Sequence, residues 1–126
     1  MRLACADFTF PLLSHDRALA LIRLLDIEGL DLGLFGNRSH VRPEMVRGDL
    51  PIWAGILKER IDRAGLALAD FFFQPWTDFT VMAVNHPDPT QQDEARAIFR
   101  DMLELARQLE APEITMLPGA RFGEES

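Results

Sequence analysis

Two basic side chains lie close together in Gly36-Asn37-Arg38-Ser39-His40, a polar loop of the kind that carries substrate contacts on apolar scaffolds. A neutral imidazole at His40 could move a proton or bind a sugar hydroxyl. The planar guanidinium of Arg38 could grip a phosphate or carboxylate. The plainer alternatives are a loop or helix-capping histidine and a solvated arginine, and Arg121 poses the same choice near the end of the sequence. Phe10, Phe73 and Trp76 could present aromatic walls to the apolar face of a sugar ring, as could Phe8 and Phe71, against the alternative that they fill core. His86, between Asn85 and Pro87-Asp88-Pro89, could touch substrate, although a turn that fixes its loop accounts for it.

Other chemistries find less support. No Gly-x-Gly-x-x-Gly or Walker-type loop offers a nucleotide phosphate site. Glu124 and Glu125 lack a ligand spacing with His40 and read as solvated acids. The 126 residues are 48% hydrophobic and 26% charged, enough for one buried core. Thirteen Lys and Arg against 20 Asp and Glu give a net charge of -7, which repels nucleic acid. Apolar runs are short, the one at residues 66–69 being cut by Asp70, so no membrane span is expected. The opening Met1-Arg2-Leu3-Ala4-Cys5-Ala6-Asp7 meets an acid where a secretory signal would continue its apolar core, which points to a cytoplasmic chain. Cys5 has no second cysteine to pair with and reads as a buried thiol.

The elements that must position these residues alternate. Residues 3–10 form an apolar strand stopped by Pro11. Ser14 caps a helix carrying Ala18, Leu21, Ile22 and Leu25 at helical spacing, with Gly29 as a left-handed terminus. Residues 30–35 form a second strand. Asp49 and Pro51 start a helix with Ile52, Ile56, Leu57 and Ile61 on one face, ended by Gly65. Residues 66–74 form a third strand, whose continuous apolar character predicts burial on both faces. Asp88, Pro89 and Gln91 resemble a capping box before a long helix through Leu109, and residues 113–117 form a fourth strand after Pro112. The step Glu28-Gly29-Leu30-Asp31-Leu32 recurs as Ala64-Gly65-Leu66-Ala67-Leu68 and, more loosely, as Glu110-Ala111-Pro112-Glu113-Ile114. Strict alternation of strand and helix predicts parallel strands in an α/β fold, either an open sheet or a barrel.

The third strand, the long loop through Asn85-His86-Pro87-Asp88-Pro89, the long helix and Glu113-Ile114-Thr115-Met116-Leu117-Pro118-Gly119 together resemble the xylose isomerase-like barrels. Glu28-Gly29-Leu30-Asp31-Leu32-Gly33-Leu34-Phe35 is similar to that family as well. The resemblance implies that residues 1–126 are the N-terminal half of a (β/α)₈ TIM barrel, since a full barrel takes about 250 residues. It implies four parallel strands in sequential order 1-2-3-4, against the order 2-1-3-4 of a flavodoxin-like sheet. It implies a sugar or sugar-phosphate isomerase or epimerase whose divalent metal, Mn, Mg, Co or Zn, is held by the fifth to eighth strands. This chain would then supply substrate-pocket walls and no metal ligand, binding a small sugar-like substrate at the C-terminal strand ends. Related endonucleases carry zinc-binding histidines where this sequence has Gln74-Pro75 and Pro118-Gly119, which argues against DNA repair. The expected partner is the missing C-terminal half-barrel or a second copy of the chain; a non-catalytic binding or assembly module is the alternative.

Overall fold

The computed structural model describes residues 2–117 and 119–123. Four parallel strands, β1 (Ala4–Ala6), β2 (Gly29–Phe35), β3 (Ala67–Gln74) and β4 (Ile114–Met116), form one sheet in the order β1-β2-β3-β4. The α/β class expected from the alternating pattern and the sequential strand order implied by the resemblance are both present. Helices α1 (His15–Leu24), α2 (Pro43–Val46), α3 (Leu50–Ala64) and α4 (Pro89–Gln108) connect the strands. No helix among the described residues is long and apolar enough to cross a membrane.

The helices and one face of the sheet enclose the core. Leu30, Leu32 and Leu34 of β2 and Phe71 and Phe73 of β3 are fully buried against Leu19, Ile22, Leu57, Met102 and Leu105 of the helices. Alternation along a strand sends the intervening residues to the opposite face. There Asp31, Phe35, Asp70 and Phe72 are only half-buried. The expectation that β3 is buried on both faces therefore holds for its helix side, and on the other face only at Gln74. A bulge at Ala69 sets Leu30 beside Leu68 and Asp31 beside Asp70, which keeps both aspartates off the helix side.

Each long helix ends in a left-handed residue before the next strand: Asp26 (φ 63°) after α1, Gly65 (φ 73°) after α3 and Glu110 (φ 55°) after α4. The repeated helix-to-strand step thus has a common geometry, but only Gly65 fills it with glycine. Gly29, expected as the terminus of α1, is instead the first residue of β2. A Cβ there would stand 2.9 Å from both the Leu3 carbonyl oxygen and the Ala4 Cβ, so glycine permits close pairing with β1. The Gly65 backbone N–H returns to the Asp62 and Ile61 carbonyls as a C-cap. Nothing crowds its missing Cβ, with Arg23 no nearer than 3.6 Å. Gly65→Ala is therefore expected to cost about 1 kcal/mol from backbone conformation alone. Urea denaturation checks this, and an unchanged midpoint would contradict the assignment.

Some element boundaries differ in detail from expectation: at α3 Asp49 is the N-cap residue, but its side chain makes no capping hydrogen bond. The first strand is three residues long, because the chain turns into a short 3-10 helix at Asp7–Thr9. At α4, the Asp88 carboxylate accepts the Thr90 N–H at 2.9 Å, but Gln91 does not close a capping box. Its Oε1 accepts the Met82 N–H at 3.0 Å, while the Asp88 N–H donates to His86 Nδ1.

Candidate functional site

The turn after β1 exists because of Asp7. Its buried carboxylate accepts the Gly33 N–H at 3.0 Å through Oδ1 and bonds His15 Nε2 at 2.8 Å through Oδ2. His15 Nδ1 lies 3.2 Å from Arg60 Nη1. A guanidinium only donates, so Nδ1 must be the acceptor and Nε2 the N–H donor to Asp7. Ser14 caps α1 as expected, its Oγ accepting the Arg17 N–H at 3.4 Å, and so sets His15 at the first position of that helix. Asp7, His15 and Arg60 thus tie the end of β1 to β2, α1 and α3. With His15 buried and both ring nitrogens engaged, the triad is a brace rather than a proton-transfer pair.

Directly beside it, 5.4 Å between ring centroids, stands His40. Its Nε2 lies 2.9 Å from the Leu13 carbonyl oxygen and 3.1 Å from that of Phe10. Two acceptors require a proton on Nε2, which in the neutral ring leaves Nδ1 a bare acceptor. That Nδ1 is buried and has no hydrogen-bond partner among the described residues. The loop that presents His40 is held by Ser39, whose hydroxyl accepts the Phe35 N–H at 2.8 Å and lies 2.5 Å from the Val41 carbonyl oxygen. It is also pinned by Gly36, whose N–H donates to the Gln74 carbonyl at 3.0 Å.

A cavity of about 230 Å³ opens here, at the C-terminal ends of β1 and β2, lined by Phe8, Pro11, Phe35, Arg38, Ser39 and His40. Arg38 is exposed at its rim and has no ion-pair partner among the described residues. Phe8 and Phe35 pack with ring centroids 4.9 Å apart and form an apolar wall. The cavity therefore joins one cation, the edge of an imidazole ring and an aromatic surface. Such a set suits a small polar ligand with an anionic group and an apolar face. Two slightly larger hollows, of about 280 and 290 Å³, lie at the opposite ends of the strands near Arg2 and Lys58 and contain no histidine.

The remaining sequence candidates fall in different places. Phe10 is half-buried and contributes its carbonyl to His40. Phe73 points to the helix side, fully buried and stacked on Phe99 at 6.3 Å, which leaves it no surface for a ligand. Trp76 is half-buried against Gly36 at the end of β3, beside the cavity but outside its lining. His86 spends Nδ1 on the Asp88 N–H and packs edge-on against Phe122 at 4.8 Å, as a loop-fixing residue would. Arg121 is exposed beyond β4. Glu124 and Glu125 lie outside the described residues. Asp7, His15 and Arg60 have no motif of their own in the sequence; a lone acid closing an apolar strand was the available signal.

A second polar feature lies on the half-buried sheet face. The Asp31 carboxyl titrates above the usual carboxylate range because burial disfavours its charged form, with repulsion from Asp70, Asp7 and Glu113 adding to the effect. A folded-state pKa above the unfolded one gives stability that is present below the ordinary carboxylate range and lost as pH rises through the shifted value. Asp31→Asn is therefore expected to stabilise the protein at neutral pH by about 0.5 to 1 kcal/mol, the size of one like-charge cross-strand contact. The gain should vanish in acid. Thermal unfolding at both pH values checks this, and a loss at neutral pH would contradict it.

Among the described residues no group of three or more His, Cys, Asp or Glu is placed to hold a metal ion. Comparison with protein-family models, curated proteins and solved structures finds no match to this chain.

Proposed function

We propose that this chain is the N-terminal half of a xylose isomerase-like (β/α)₈ barrel, contributing the wall of a sugar or sugar-phosphate site of an isomerase or epimerase. The observation that carries this reading is the cavity at the C-terminal ends of β1 and β2, where His40 and Arg38 meet an aromatic wall. Barrel enzymes place their chemistry at that end of the strands. In this reading Arg38 holds the phosphate, and Phe8, Phe35 and the His40 ring form the wall that faces the sugar. The described residues do not fit the divalent metal of such enzymes. In this reading the metal's ligands belong to the other half of the barrel.

Backbone-amide NMR with a hexose phosphate, and separately with the parent hexose, tests the reading. Shifts should concentrate at Phe35, Arg38, Ser39 and His40. Arg38→Gln should weaken the phosphate ester by about tenfold, corresponding to about 1.4 kcal/mol, and leave the unphosphorylated sugar unchanged. Shifts confined to the opposite ends of the strands, or none at millimolar ligand, would refute the reading.

A further inference from the structure

The open face of the sheet has a layered composition. Its first row holds the small residues Ala4, Gly29 and Ala67; the next holds Ala6, Asp31 and Asp70, in register across three strands. Glu113 extends that second row, because Phe71 pairs with the next residue, Ile114, and the Phe71 N–H donates to the Glu113 carbonyl at 3.1 Å. The third row carries Gly33, Phe72 and Thr115, with the ring of Phe8 over Gly33. A Cβ at Gly33 would overlap that ring. Asp70 Oδ1 is buried with no hydrogen-bond partner among the described residues, and so is Oε1 of Gln74, a residue with only 6% of its surface exposed on the same strand. Among the described residues, both outer strands, β1 and β4, have a sheet neighbour on one side only.

We propose that this face is the docking surface for a second, non-identical β/α half-barrel whose inward-facing layer brings Lys or Arg side chains onto the row Asp31-Asp70-Glu113. The inference rests on the half-barrel reading above. Closing a barrel over the row removes three carboxylates from water, and buried charges persist only when paired and hydrogen-bonded. A second copy of this chain cannot supply the pairs, since a two-fold arrangement sets the same three carboxylates against themselves. Basic side chains supply both the opposite charge and hydrogen-bond donors for the row. The small first row and the aromatic third row leave room and apolar surface on either side of the charged layer.

A charge-reversed copy of the chain, carrying Asp31→Lys, Asp70→Lys and Glu113→Lys, serves as the probe. In sedimentation velocity the original chain and the reversed copy should form a 1:1 complex at least tenfold tighter than either forms with itself, and weaker in salt. Equally tight self-association of the original chain would overturn the proposal, as would no association in the mixture. Should the reversed copy not fold, the neutral variant Asp31→Asn, Asp70→Asn and Glu113→Gln replaces it. This variant should self-associate at least tenfold more tightly than the original, whereas Asp16→Asn, Asp62→Asn and Asp93→Asn, with the same change of net charge on the helices, should not. Equal behaviour of the two triple variants would overturn the proposal. Amide shifts in the complex separate the two readings: changes on the open face and on both β1 and β4 support both. Changes on the open face and only one edge strand leave the docking surface standing and remove the barrel, and changes on the helices remove the docking surface.

Discussion

Phe73→Ala is expected to lower the free energy of unfolding by about 3 to 5 kcal/mol. The ring is fully enclosed between β3 and α4, in contact with Phe99 and surrounded by the largest apolar side chains of the core. Its removal loses the transfer energy of a large aromatic group and leaves a cavity that a parallel strand, held on both sides by β2 and β4, cannot collapse to fill. Small domains are stable by about 5 to 15 kcal/mol in total, so the variant should be partly unfolded at physiological temperature. Urea denaturation gives the number. A loss under about 1 kcal/mol, small for an enclosed aromatic ring, would show that Phe73 is not the core residue described here.

Asp7→Ala should be nearly as damaging, at about 2 to 5 kcal/mol. The substitution strips partners from the Gly33 N–H and from His15 Nε2, two buried donors that each cost about 1 to 3 kcal/mol when left unsatisfied. It also leaves Arg60 beside a histidine with no carboxylate behind it. A double-mutant cycle with His15→Ala isolates the pair. The two losses should be strongly non-additive, because either change breaks the same bond, and simple additivity would show that Asp7 and His15 act separately.

The sequence reveals the alternation of strand and helix because Leu30, Leu32, Leu34 and the Phe71 to Phe73 run have the spacing that parallel strands under helices require. It places Arg38 and His40 in one loop, and the structure brings both to one cavity. What local pattern could not show depends on contacts between residues far apart in the chain. Asp7 ends β1 early because its partners are 8 and 26 residues away, at His15 and Gly33. Gly29 resembles a helix terminus by its repeat position, yet its lack of a side chain serves the pairing with Ala4. Phe73 sits at a strand end where a site wall is conceivable, and only the phase of the pleat assigns it to the helix side. The acidic row is equally silent, since a bulge at Ala69 is needed to align Asp70 with Asp31.

The central claim, that a polar ligand sits against Arg38 and the His40 ring while His15 is locked into a brace, is tested most directly by nitrogen NMR of the histidine rings. Spectra of the chain with and without a hexose phosphate should show both rings in the Nε2–H tautomer. As ligand is added the ring resonances of His40 should move progressively, while both nitrogens of His15 stay fixed by Asp7 and Arg60. A proton found on Nδ1 of His40 before ligand is added, or a response at His15 with none at His40, would contradict the account.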